Sequence, residues 1–208
     1  MRASRRRLLP FALPALALVA ACVSEVVYPG DLIIGLFDFK AQANWARTSC
    51  NPDGGDFNRL VDGGFEFAGT FSRDSVDGGA WFTIDGFSRR ATYDARAQRY
   101  VTTHRAAAQL VSCGELCKGS ELEEVLDVVV LSDSQDRALG SRCANLSPDG
   151  GLPDGSVPGP TVNGYDAERA CGELKVTFLP GTGEACVKCA ASCSAVYGVE
   201  GKRRVDGR

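Results

Sequence analysis

Nine cysteines constrain the fold of this 208-residue chain more than any other feature, because their chemistry depends on the compartment. In a reducing compartment, a stretch such as "CVKCAASC" at residues 186–193 would be a candidate metal or redox site. In an oxidising compartment the same thiols pair into disulfides that stabilise a loop-rich domain. The compartment therefore has to be inferred from the rest of the sequence.

The N-terminus carries the pattern of an export signal. Four arginines within the first seven residues precede an apolar stretch at residues 8–21 that two prolines interrupt. This stretch is shorter than the roughly 20 apolar residues that a membrane-spanning helix needs. A basic start, a short apolar segment and small residues at its end are typical of a signal peptide that is removed after export. We therefore predict that residues 1–21 are a signal peptide.

The end of this segment, "VAAC" at residues 19–22, resembles the lipobox of bacterial lipoproteins. The resemblance covers residues 1–22, and Val19 stands where leucine is commoner. In that family the cysteine, here Cys22, receives a diacylglyceryl group and becomes the acylated first residue after cleavage. An ordinary signal peptide that happens to end before a cysteine is the alternative. The resemblance implies that the protein is held to membrane lipid through palmitate or similar chains on Cys22.

Two further features of the N-terminus bear on localisation. In enteric lipoproteins an aspartate after the lipidated cysteine retains the protein at the inner membrane, whereas Val23 occupies that position here. The resemblance therefore implies a lipid-anchored protein of the cell envelope, at the outer rather than the inner membrane. "SRRRLLP" also loosely resembles a twin-arginine signal, with Leu8 where phenylalanine is usual. Such substrates fold in the reducing cytoplasm, so structural disulfides favour export of an unfolded chain.

The cysteine count agrees with lipidation of Cys22, which leaves an even number of thiols that can pair completely. Eight cysteines allow 105 connectivities. Short sequence separation favours pairing of the cysteines within residues 113–143, together with Cys50, and separate pairing of the cysteines within residues 171–193. No metal is predicted, because the C-x₃-C spacing is unusual for zinc and no histidine lies near. The disulfide candidates are Cys50, Cys113, Cys117, Cys143, Cys171, Cys186, Cys189 and Cys193.

Composition makes several functional classes unfavourable. The chain has 23 basic and 26 acidic residues, and four of the basic ones lie in the predicted signal peptide. The mature protein is therefore acidic, and we predict no nucleic-acid partner, because nucleic acid requires a basic surface. The chain has one histidine, His104, and lacks the G-x-S-x-G, H-E-x-x-H and Gly-rich phosphate motifs. We therefore predict no cofactor, and an enzyme is the less favoured interpretation.

Alternation of apolar and polar residues predicts a mainly β domain. In residues 31–45, Ile33, Phe37 and Phe39 fall on one face of a strand, with polar residues on the other. Asp-Gly-Gly occurs at residues 62–64 and again at 77–79, and each copy predicts a turn followed by a strand.

The second half of the chain predicts further strands. They are "RRATYDA" and "QRYVTTHRAAAQLV", separated by a turn near residues 94–97, and "CGELKVTFLPG". "LEEVLDVVVLS" at residues 122–132 fits a strand and a helix equally well by spacing, but its β-branched residues favour a strand. A short helix is predicted to begin at Ser132 or Asp133 and to stop at Gly140.

We therefore predict a mainly β fold, a disulfide-stapled sandwich or irregular barrel with a small Cys-rich C-terminal lobe. Four disulfides of about 2–4 kcal/mol each would matter for a chain this rich in loops. The predicted organisation is a signal peptide (1–21), a lipidated N-terminus and tether (22–30), the β domain (31–145), a Pro/Gly-rich linker (146–164), the C-terminal lobe (165–200) and a basic tail (201–208).

Two functional hypotheses follow from the sequence. The favoured one is a non-enzymatic envelope protein acting in binding, adhesion or structure. The alternative is a small exported hydrolase assembled from distant residues, using His104 or a carboxylate pair such as Glu121 and Glu124. A binding role would use an apolar groove lined by residues such as Trp45, Phe67 and Trp81.

Overall fold

The computed structural model describes residues 28–50, 64–76, 78–95, 97–108, 119–138, 166–182 and 192–204. Within these residues eight β-strands form one closed antiparallel barrel, which confirms the predicted mainly β fold. The strands are β1 (Leu32–Ala43), β2 (Gly64–Arg73), β3 (Ala80–Ile84), β4 (Phe87–Asp94), β5 (Arg99–Ala107), β6 (Glu121–Ser132), β7 (Ala167–Leu179) and β8 (Cys193–Arg203). A 3₁₀ turn (Trp45–Arg47) follows β1, and helix α1 (Asp133–Ala138) follows β6.

Each strand pairs with the next one in the sequence, and β8 pairs with β1 to close the barrel. Because every pair is antiparallel, the strands run alternately up and down. The ends of β1, β3, β5 and β7 and the starts of β2, β4, β6 and β8 all lie at one end of the barrel, which we call the mouth. The start of β1 and the other strand ends lie at the opposite end, which we call the packed end. No helix in the described part of the chain is long and apolar enough to cross a membrane.

Local sequence explains two of the junctions. Asp85 and Gly86 form the β3–β4 turn with φ of 49° and 79°, the left-handed conformations that a tight hairpin requires and that Asp-Gly readily adopts. At the start of α1 the Ser132 hydroxyl accepts from the Gln135 N–H at 3.2 Å, and the Gln135 side chain accepts from the Ser132 N–H at 2.9 Å. This reciprocal capping confirms the predicted helix start, and β6 is confirmed as a strand.

Alternate residues of each strand point into the barrel and form an aromatic core. Space for these rings comes from glycines on neighbouring strands. A Cβ added to Gly69 would lie 2.1 Å from the Phe82 ring, and one added to Gly201 would lie 2.5 Å from the Phe39 ring. Contacting rings have centroids 4.6–6.2 Å apart. The buried rings among the described residues are those of Phe37, Phe39, Phe71, Phe82, Tyr100, Phe178 and Tyr197.

A bulge near the start of β1 changes which residues face inward. The pairing of β1 with β2 shifts between Ile33 and Gly35, so one extra residue interrupts the alternation. Ile34 is consequently buried, whereas Ile33 is 52% exposed. The prediction that Ile33 shares a face with Phe37 and Phe39 is therefore wrong.

The C-terminal region completes the barrel. Strand β8 pairs with both β7 and β1, so residues 167–179 and 193–203 are barrel strands and not a separate lobe. β8 continues to Arg203, and the Arg204 side chain forms an ion pair with Asp38 of β1. The first residues of the predicted basic tail thus belong to the barrel wall.

A disulfide joins Cys50 to Cys193, which are 143 residues apart in the sequence. Cys50 follows the 3₁₀ turn after β1 and Cys193 begins β8, so the bond lies at the mouth. The predictions that Cys50 pairs within residues 113–143 and that Cys193 pairs within residues 171–193 are both wrong, because barrel closure brings the first and last strands together. Cys171 is also disulfide-bonded. The linker 146–164 and Cys22, Cys113, Cys117, Cys143, Cys186 and Cys189 lie outside the described residues.

Candidate ligand-binding cavity

A cavity of about 180 Å³ opens inside the barrel at its mouth. An eight-stranded barrel is just wide enough either to be filled by side chains or to hold one small ligand. Here buried side chains such as Phe37, Phe71 and Tyr100 occupy the packed end, whereas the mouth end leaves space. The walls are mostly apolar and are formed by Phe65, Phe67, Phe82, Ile84, Arg89, Glu124, Leu126, Leu174, Val176 and Tyr197.

One side of the cavity is a wall of aromatic rings anchored in the core. The Phe67 ring stacks on buried Phe39, with centroids 4.8 Å apart and planes 11° from parallel. The Phe65 ring meets the Tyr197 ring edge to face at 5.1 Å. Because such contacts restrict ring orientation, this side of the cavity is preformed by the core packing.

Two charged side chains enter the cavity as a pair. Arg89 on β4 donates a hydrogen bond from Nη1 to Oε2 of Glu124 on β6 at 2.6 Å. Strand β5 lies between β4 and β6, so the two side chains meet across its inner face. The concave curvature of the barrel brings them close enough to do so. Outer-surface pairs such as Arg105–Glu123 instead join directly adjacent strands. The Arg89–Glu124 pair therefore places compensated charge within an otherwise apolar wall.

The Tyr197 hydroxyl is a buried polar group without a hydrogen-bond partner among the described residues. The Tyr197 side chain is fully buried on the inward face of β8, and burial raises the pKa of its hydroxyl. The group is therefore neutral at physiological pH and can donate one hydrogen bond and accept others. Unpaired buried polar groups are rare in native structures, so this hydroxyl is a candidate ligand contact.

The structure separates the two carboxylates of the predicted hydrolase site but places His104 opposite one of them. His104 lies on the inward face of β5, in register with Glu124 on β6. Glu121 and Glu124 are three positions apart on the same strand and therefore point to opposite faces of the barrel wall. They do not form the facing carboxylate pair that glycoside hydrolysis uses.

The three aromatic residues predicted to line an apolar groove also lie apart. Phe67 lines the cavity, but Trp45 lies in the 3₁₀ turn at the mouth and is 51% exposed. Trp81 lies on the outward face of β3, beside Gly79 near the packed end. The three aromatic residues therefore do not share a surface, because their relation depends on which face of a strand each occupies.

In the part of the chain that the structure describes, no group of three or more His, Cys, Asp or Glu side chains could hold a metal ion. Cys50 and Cys193 are bonded to each other and are not available as ligands.

Comparison with known proteins gives no match to a family model, to a curated protein or to a solved structure. The fold and the cavity define the class on their own: an up-and-down antiparallel barrel of eight strands, with a filled interior at one end and an apolar cavity at the other.

Proposed function

We propose that this protein binds a small, largely apolar ligand in the mouth cavity while acyl chains on Cys22 hold it at the bacterial cell envelope. The observation that carries the proposal is the cavity itself. Preformed apolar walls with a few fixed polar groups are typical of small-molecule binding sites. The Tyr197 hydroxyl, which is buried and has no partner among the described residues, requires an explanation, and a bound ligand would supply the missing partner.

The chain order supports an anchor that leaves the cavity accessible. The proposed tether joins the barrel at the start of β1, which lies at the packed end. The cavity lies at the opposite end, among the ends of β2, β3 and β6 that face the mouth. Two or three acyl chains attach a protein stably to a bilayer, whereas one chain binds only marginally. Lipidation of Cys22 would therefore fix the protein to the membrane from the side away from the ligand.

The pairing of the charged side chains favours binding over catalysis. Arg89 and Glu124 satisfy each other through a direct hydrogen bond. A general acid or base must instead reach a substrate proton. The geometry therefore favours a structural role for this pair, in which each side chain holds the other in place in the cavity wall.

Filling the cavity is expected to abolish ligand binding. Ile84 lines the cavity and is partly buried, so Ile84→Trp places an indole ring in the space that a ligand would occupy. We expect this variant to bind toluene at least about tenfold more weakly than the unchanged mature protein, which corresponds to about 1.4 kcal/mol. Titration followed by protein NMR measures both affinities.

Thr92→Trp is the matched control, because Thr92 is exposed on the outward face of the neighbouring strand β4. It adds the same side chain without entering the barrel and should leave toluene binding unchanged. The proposal fails if the unchanged protein binds no small ring compound, or if Ile84→Trp binds toluene as well as Thr92→Trp does.

The proposed anchor is tested by the mass of the processed protein. We expect the full chain, expressed in a bacterium that processes lipoproteins, to lose residues 1–21 and to gain acyl chains on Cys22. Mass spectrometry with and without reductant reports the acyl chains and the disulfides separately. Cys22→Ala should release the protein from the outer-membrane fraction, and an unmodified Cys22 in the mature protein would contradict the anchor.

A further inference from the structure

We propose that the ligand of the mouth cavity is a neutral compound with a single ring and one hydrogen-bonding group, of the substituted-phenol type, and that this group contacts the Tyr197 hydroxyl. This inference rests on the proposed function and adds the chemical class of the ligand. Size, wall chemistry, charge balance and the position of the unpaired hydroxyl each support it.

The size of the cavity limits the ligand to one ring. An apolar protein cavity of about 150 Å³ holds one benzene molecule, and the mouth cavity measures about 180 Å³. One six-membered ring with one or two small substituents therefore fits. A fused polycyclic compound or a long acyl chain would have to extend out of the mouth.

The wall favours a flat ring. Phe65, Phe67 and Tyr197 line the cavity, and their rings contact one another at centroid distances of 5.1 and 5.8 Å. Aromatic pairs prefer offset-stacked or edge-to-face arrangements with centroids 4.5–7 Å apart. A ligand ring would extend this existing arrangement, while Leu174 and Val176 on β7, the strand paired with β8, supply aliphatic contacts.

The charge balance favours a neutral ligand. Arg89 and Glu124 neutralise each other at 2.6 Å, so the charged groups that line the cavity sum to zero. An anionic ligand would add an uncompensated charge to an apolar space, and burial of an unpaired charge is unfavourable. A neutral ligand avoids this penalty.

The Tyr197 hydroxyl defines where the polar group of the ligand binds. The Tyr197 side chain lines the cavity, and its buried hydroxyl lacks a partner among the described residues. A ligand hydroxyl could accept from it or donate to it, since both groups can do either. A ligand without a polar group would leave this hydroxyl unpaired.

The test compares toluene with para-cresol, which has the same ring and methyl group plus one hydroxyl. Dissociation constants are measured by NMR titration for the mature protein and for Tyr197→Phe. We expect the preference for para-cresol over toluene to fall about tenfold in Tyr197→Phe, as loss of a buried hydrogen bond predicts. Tyr197→Phe keeps the ring and should bind toluene at least as tightly as the unchanged protein, and this result would show that its cavity is intact.

Tyr93→Phe is the control, because Tyr93 packs on Tyr100 towards the packed end and does not line the cavity. It should leave the para-cresol preference unchanged. An unchanged preference in Tyr197→Phe would overturn the inference and leave the proposed function standing, provided that toluene binds. Tighter binding of para-toluate than of para-cresol at neutral pH would also overturn it. If no ring compound binds, both proposals fail.

If Tyr197→Phe does not fold, intermolecular NOEs in the unchanged protein decide the same question. The aromatic protons of para-cresol next to its hydroxyl should show NOEs to the Tyr197 ring, and the methyl protons should not. The reverse orientation would overturn the contact.

Discussion

Removal of the Cys50–Cys193 disulfide is expected to lower the free energy of unfolding by about 4 kcal/mol. The bond links residues 143 apart in the sequence, so it restricts the unfolded chain strongly. In the chain-entropy description a closed loop of about 100 residues gives about 4.7 kcal/mol, and measured values are often smaller. Chemical denaturation of Cys50→Ala/Cys193→Ala and of the unchanged protein, both fully oxidised, measures the difference.

The native structure around the disulfide should survive its removal. The Asn44 N–H donates to the Val196 carbonyl at 2.7 Å, and the Ser49 N–H donates to the Ser194 carbonyl at 2.8 Å. These hydrogen bonds hold the segment after β1 against β8 without the covalent link. The loss of stability is therefore expected to come mainly from the greater freedom of the unfolded chain.

The two single variants provide the control for this prediction. Cys50→Ala and Cys193→Ala each break the same bond, so each should lose nearly as much stability as the double variant. If the stability losses of the two single variants instead add up to the loss of the double variant, the effect comes from side-chain packing and not from the bond. A double variant that loses less than about 1 kcal/mol would contradict the entropic argument.

The second large effect is expected at Gly172, where β7 approaches β6 most closely among the glycines of the described strands. A Cβ added there would lie 1.9 Å from the Asp127 carbonyl oxygen and 2.7 Å from the Val128 Cα. Both are backbone atoms of β6, which is paired on each side and cannot move away without disturbing its ladders. We expect Gly172→Ala to cost about 3 kcal/mol, at the upper end of overpacking effects.

Gly198→Ala is the matched control on the adjacent strand β8. A Cβ added at Gly198 meets no atom within 4 Å. The change should leave stability unchanged or raise it by about 0.5–1 kcal/mol, because alanine loses less backbone freedom on folding than glycine. Thermal and urea unfolding of the two variants measures the contrast. Equal losses would show that alanine is unfavourable in these strands for a reason other than close approach.

Most strands could be predicted because their signals are local. β2 begins at the last glycine of the first Asp-Gly-Gly, β3 directly follows the second, and the predicted turn near residues 94–97 falls between β4 and β5. Strand β8 was not predicted, because its residues were assigned to the Cys-rich lobe and the basic tail. A second exception is Ile33, whose position depends on the bulge in the pairing of β1 with β2. A bulge is a property of two strands together, and alternation within one strand does not reveal it.

The candidate site could not be predicted in the same way. Arg89 and Glu124 come from strands that are not adjacent, and their hydrogen bond requires both the register and the curvature of the barrel. Tyr197 is an ordinary strand residue until β8 closes against β1 and buries it. Glu121 and Glu124 would share a face only on a helix, so the hypothesis of a paired site depended on the secondary structure of one segment.

The sequence by itself determined the mainly β character of this protein, the positions of most of its strands and turns, and the expectation of disulfides and a lipid anchor. Each of these depends on interactions within a few residues or on a short contiguous signal. Only the tertiary structure decided that the strands close into one barrel, that Cys50 pairs with Cys193, and that a cavity with an unpaired hydroxyl remains at the mouth. These features depend on strand register and on the meeting of β1 with β8, which are contacts between distant parts of the chain.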